Sequence, residues 1–141
     1  MKNCEETPDA QDYVDHIAKQ RGFVLPYHKW MARADLKVLN AANALATATV
    51  LEQRLLDAKT KELLFILSLT VLRADPDHIA THIRRGLALG LDSQEILEAI
   101  ELALPEAGVV AFQHGFQVWA EVVGLVGIEP SAAALEESGS A

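Results

Sequence analysis

The chain has 141 residues, half of them hydrophobic, with 20 acidic against 12 basic side chains and a formal charge of -8. That is enough chain for one domain with a real core, and no stretch gathers Lys and Arg into the basic stripe that nucleic-acid phosphates require, so nucleic acid is not an expected partner. The longest apolar run, Leu63 to Leu72, spans about 15 Å against roughly 30 Å of hydrocarbon, so no membrane crossing is expected.

In chain order, Met1 to Glu6 is acidic and has no apolar run behind it, which reads as a mobile tail without a secretory signal and points to a cytoplasmic protein. Its Cys4 is the single cysteine, too little for a disulfide framework or a cysteine-based zinc site. Thr7 and Pro8 predict a helix start, Tyr13, Val14 and Ile17 share a face, and Gly22 can end the helix in the left-handed conformation. Phe23 to Pro26 reads as a connector, and Tyr27 to Ala34 as a brief helix carrying His28 and Trp30. Asp35 caps a longer helix whose Val38, Leu39, Ala42, Leu45, Ala46 and Thr49 make a stripe of mostly small side chains.

Asp57 caps the next helix, which is apolar all round from Leu63 to Leu72 and must therefore be enclosed. After Ala74, Asp75 and Pro76 open a helix that Gly90 closes. Its inner stripe holds Ile79, Ile83, Gly86 and Leu87, and His82 falls inside that stripe, so an imidazole is aimed at the core. Asp92 to Glu95 is a capping box followed by Ile96, Leu97, Ile100, Ala103 and Leu104 on one face. Pro105 ends or kinks that helix. A last helix follows Gly108, with Val109, Phe112, Phe116, Trp119 or Ala120, and Val123 inward and Gln113 as the polar residue of the stripe. From Pro130 the Ser, Ala and Glu composition predicts a second mobile tail. No strand pattern competes anywhere, so the expected fold is all-α, about six helices in a single domain over 1–141.

The segment Leu56 to Leu63, then His82, then Ala88 to Ile96 with Glu98 and Ala99, then Ala107 to Val109, resembles the carboxymuconolactone decarboxylase family, whose fold is shared by the alkylhydroperoxidase-D-like proteins. The resemblance covers roughly residues 36 to 123. It implies a helical domain that assembles into a ring-like homo-oligomer, a trimer, hexamer or dimer-built assembly. The thiol-peroxidase branch carries Cys-X-X-Cys just before its histidine, where this chain has Asp75 and His78, and its spacing to the acid at Glu62 is one residue shorter. Without a resolving pair, cysteine-dependent peroxide reduction is excluded on chemistry. The decarboxylase branch fits the spacing better, yet its Pro-Ala-Ala-Asn-Arg is replaced by Val110-Ala111-Phe112-Gln113-His114. A different substrate is implied.

Loss of carbon dioxide from a β-keto acid or its vinylogous lactone equivalent leaves an enolate. The catalyst must stabilise charge on oxygen and deliver one proton to carbon. His82 suits the proton step, with His78 or His114 as donors, Glu62 to orient an imidazole, Arg85 to hold a carboxylate and Gln113 beside the substrate. The expected partner is a small carboxylic acid, and no cofactor is required. His78 and His82 stand four apart on one helix, a spacing that can present two imidazoles to a metal ion with Glu62 or His114 completing the set, but the Glu of the zinc-protease motif is missing and a metal-free site is expected. Each residue also has a structural reading: His82 as a core histidine bonded to a carbonyl, Glu62 as an acid at a helix start paired with Lys59 or Arg73, Gln113 as a satisfied interior amide. A non-catalytic oligomer that binds a small acid, or serves only as a structural partner, is the alternative to a decarboxylase.

Overall fold

The structure, a computed structural model, describes residues 8–125 and 127–139. The expectations placed on Cys4, on Thr7 as a cap and on a mobile tail over residues 1–6 lie outside the described residues. Among those described there are helices and no strands: α1 (Pro8–Arg21), α2 (Pro26–Ala34), α3 (Leu36–Ala46), a π-helical turn (Thr47–Leu51), α4 (Ala58–Val71), α5 (Pro76–Ala88), α6 (Ser93–Glu101), α7 (Ala103–Ala107), α8 (Val109–Val123) and α9 (Ala132–Gly139). None of them is long and apolar enough to cross a membrane.

Local side chains set most of these boundaries. The free amides at the helix starts are met by carboxylates: Asp35 accepts from Val38 N at 3.1 Å, Asp57 from Thr60 N at 2.7 Å and Asp75 from Asp77 N at 2.9 Å. At α6 the box is reciprocal, Asp92 accepting from Gln94 N while Glu95 accepts from Asp92 N. Gly22 and Gly90, at φ +80° and +94°, let the chain turn back after α1 and α5 as only glycine does cheaply. Pro105 has no N–H to give to the Glu101 carbonyl, so α6 stops at Glu101 and the proline sits inside the short α7.

Helix α4 lies at the centre, packed against α5, α6, α7 and α8. The core there is built from Ile66, Ile79, Ile83, Ile96, Ile100, Val118 and Trp119. A second, smaller cluster of Ala10, Ala32 and Leu39 joins α1, α2 and α3. Trp119 ties α8 to the start of α6 by donating from Nε1 to Ser93 O at 3.0 Å.

The structure corrects three expectations. Helix α4 is not enclosed within this chain: Leu64 and Leu72 are 49% and 75% exposed, and the line it buries runs Glu62, Ile66, Thr70. Uniform apolarity does not fix which face of a helix is buried. On α3 only Leu39 of the predicted stripe is buried, while Val38 and Leu45 are exposed. On α8 the innermost line is Ala111, Gly115, Val118 and Trp119, with Val109 exposed and Phe112 and Phe116 partly buried. Gly115 explains the phase: a Cβ placed there would lie 2.3 Å from Thr70 Oγ1, so α4 and α8 touch backbone-to-side-chain at that point. After Pro130 the chain forms α9, and every residue of it whose side chain is described is exposed.

Candidate active site

Glu62 is the acid around which the site is assembled. It lies one turn into α4, 1% exposed, on the helix's most buried line. His82 and Arg85, three residues apart on α5, present neighbouring faces to it. His82 Nδ1 lies 2.6 Å from Glu62 Oε2, and Arg85 Nε lies 3.1 Å from Glu62 Oε1. A carboxylate only accepts, so Nδ1 carries the proton and donates it into this bond. The ring's other nitrogen, Nε2, is left without a protein partner among the described residues. Both carboxylate oxygens are therefore used, one by a histidine and one by a guanidinium, which is what allows an acid to be buried this deeply. The sequence's structural pairing of Glu62 with Lys59 or Arg73 does not form.

His82 is 7% exposed and held in an aromatic collar. Phe65 stacks on it at 5.0 Å between centroids, His78 is tilted against it at 5.3 Å, and Phe23 meets it edge-on at 6.0 Å. Beyond the ring opens a cavity of about 210 Å³, whose walls combine His78, His82 and Arg85 of α5 and Phe65 of α4 with Arg21, Phe23 and Tyr27 from the first two helices and their connector. Val50 and Leu51 of the π-helical turn close another side. That turn is tethered to α4 by Lys61, whose ammonium donates to Val50 O at 3.2 Å and Glu52 O at 3.1 Å.

The charges are uneven. Arg21, Arg85, His78 and His82 line the cavity and Glu62, already committed twice, is the acid beside them. The His78 pKa is lowered, first by burial and then by the neighbouring His82, with Asp75 opposing, so this imidazole is held towards neutrality. His28, just outside, accepts from Leu25 N at Nδ1 (3.1 Å), and its pKa is pushed down to about 4 by burial and then by Arg21 and His78. Arg21 itself donates from Nη2 to Asn43 Oδ1, while its buried Nε has no partner.

Of the residues predicted from sequence, Glu62, His78, His82 and Arg85 are brought together. Gln113 and His114 are not at this cavity. Gln113 faces outward from α8, and His114 donates from Nε2 to Ala74 O at 2.6 Å, bracing the turn between α4 and α5. Arg21, Phe23, Tyr27 and Phe65 were not singled out by sequence reasoning. The signal available was the apolar connector Phe23-Val24-Leu25: a loop that hydrophobic has to be buried against something. Among the described residues no group of three His, Cys, Asp or Glu side chains is gathered closely enough to hold a metal ion.

The family model of the carboxymuconolactone decarboxylase family matches residues 37–121, more than half of the chain. No protein of curated function matches it.

Proposed function

Because the chain belongs to the carboxymuconolactone decarboxylase family, we propose that it is a cofactor-free decarboxylase of a small β-keto acid or its unsaturated-lactone equivalent, with His82 as proton donor. The observation that carries this reading is the buried Glu62 clamped between His82 and Arg85 at the wall of an aromatic-lined cavity. A volume of about 210 Å³ lies below the roughly 300–1,000 Å³ of pockets for drug-sized ligands, which favours a small acid.

In this mechanism the substrate's carboxylate meets the terminal nitrogens of Arg85, whose Nε stays on Glu62. The bond from the α-carbon to the carboxylate carbon breaks and carbon dioxide leaves. The electron pair passes through the conjugated system to the carbonyl oxygen, forming an enolate to which His78 donates a hydrogen bond. His82, protonated on both ring nitrogens before this step, then delivers the Nε2 proton to carbon and is left neutral with its Nδ1 proton still on Glu62, which holds the ring in one orientation throughout. Apolar walls at Phe23, Leu25 and Phe65 leave the carboxylate poorly solvated, which favours its departure as neutral carbon dioxide. Thiol chemistry has no part: the chain has one cysteine, and Asp75 and His78 stand where the peroxidase branch has its pair.

A homo-oligomer belongs to the same proposal, supported by the uncovered leucines Leu64 and Leu72 of α4 and Leu102 beside α7. A monomeric mass by light scattering would refute it. The catalytic test is carbon dioxide release from a panel of β-keto acids and carboxylated unsaturated lactones. His82→Ala is expected to lower turnover by at least 10²-fold. Full turnover in that variant sinks the assignment of the proton donor, and no release from any panel member puts the non-catalytic acid-binding reading first.

A further inference from the structure

Phe23 has two sides. One edge meets His82 in the cavity just described, and its ring also lies under the Arg85 guanidinium, 5.8 Å from its carbon to the ring centroid. Behind it runs a second groove of about 420 Å³, lined by Arg21, Phe23, Thr81, Arg84, Arg85 and Ala88. Thr81, Arg84, Arg85 and Ala88 follow the three-and-four spacing, so they form one stripe along α5, and Arg21 reaches in from the end of α1. Folding thus gathers three guanidinium groups from segments far apart in sequence, which is why no basic stripe is legible in the chain.

No acid lines this groove. None stands three or four residues away from Arg84 or Arg85 on α5, or before Arg21 on α1, so no intrahelical ion pair neutralises them. Arg85 is the one with a counter-charge, and that is Glu62 on its far side. Arg21 has a neutral partner in Asn43 and a buried, unpartnered Nε. In a protein with a formal charge of -8, three guanidinium groups gathered with only Arg85 paired to an acid would repel one another unless an anion bridged them. A phosphate monoester, with close to two negative charges and three equivalent acceptor oxygens, matches three converging forked donors better than a single planar carboxylate does.

We propose that the groove behind Phe23 is a phosphoryl-binding site, with Arg21, Arg84 and Arg85 as its cationic partners. It does not depend on the reaction in the neighbouring cavity, but it shares Arg21, Phe23 and Arg85 with it, so a phosphoryl group there sits next to whatever occupies the His82 pocket.

Isothermal titration of the natural protein with inorganic phosphate and with phenyl phosphate, at low ionic strength, tests this. Saturable binding is expected, weakening steeply as salt is raised. Arg84→Gln changes an exposed side chain with no partner among the described residues, so its fold is expected to survive, and it is expected to weaken binding of both probes at least about fivefold. Lys37→Gln, which removes an exposed cation outside the groove, is expected to bind them as the natural protein does. Tighter binding of phenyl phosphate than of inorganic phosphate, abolished by His82→Ala, would identify the phosphoryl group as the tail of a cavity ligand; equal binding would identify a free phosphate. No saturable binding of either probe, or unchanged binding by Arg84→Gln, overturns the proposal.

Discussion

Replacing Glu62 by glutamine keeps the shape of the buried side chain and removes its charge. The carboxylate accepts from two donors, His82 Nδ1 at 2.6 Å and Arg85 Nε at 3.1 Å. An amide has one accepting oxygen. If it serves Arg85, the amide NH₂ faces His82 Nδ1, and the ring must turn its proton to Nε2 and become an acceptor at Nδ1. A hydrogen bond between charged partners is worth about 1.5–3 kcal/mol, and one of the two is replaced by a weaker neutral one, so the expected loss is about 2 kcal/mol. For a chain of this length that corresponds to a fall in melting temperature of roughly 6–8 °C. Turnover is expected to fall about 10²-fold or more, since the imidazolium that donates the proton loses its counter-charge. Thermal melts with carbon dioxide release as the second readout give both numbers. In a His82→Ala background the stability cost of Glu62→Gln is expected to shrink by at least about 1 kcal/mol. An unchanged melting temperature, or costs that simply add, would refute the coupling on which the site is built.

The remaining predictions concern the supports of the site. His28 is buried with its pKa depressed from 6.5 to about 4, so it folds neutral, and the stability it contributes is full above pH 6.5 and lost as pH falls towards 4. That interval is worth roughly 3 kcal/mol, and the decline in melting temperature across it is expected to flatten in His28→Gln; an equal decline in both proteins would contradict it. Gly115→Ala places a Cβ 2.3 Å from Thr70 Oγ1 and 2.9 Å from Thr70 Cβ, a clash that no rotamer change of Thr70 removes. Separation of α4 and α8 is expected to cost about 1–3 kcal/mol in chemical denaturation, and a neutral result would contradict the close approach.

Features set by near neighbours were legible in the sequence. The carboxylate caps at Asp35, Asp57, Asp75 and Asp92, the glycine stops, and the inward phase of His82 all depend on residues within a turn or so, and each formed as read. The phase of α8 did not follow, because large aromatics at Phe112 and Phe116 suggested the inner line. At a close helix crossing, the innermost positions belong to the smallest side chains, here Ala111 and Gly115, and the shift turns Gln113 outward. The cover of α4 was illegible for a different reason: exposed leucines and core leucines look alike in one chain. Half of the cavity wall escaped notice because Arg21, Phe23 and Tyr27 belong to the first two helices and their connector, where the apolar pattern concerns only the small core around Leu39.

The cavity's position at the seam between the two hydrophobic clusters divides responsibility along the chain. Glu62, His82 and Arg85 lie within the family-matched segment, whereas Arg21, Phe23, Leu25 and Tyr27 precede it. Under the proposed mechanism, the reactive groups and the selective half of the wall are thus encoded in separable stretches. Exchanging the first thirty-odd residues for a different pair of packed helices would present a new ligand to the same acid and imidazole, so descent or engineering can revise what enters without disturbing what reacts.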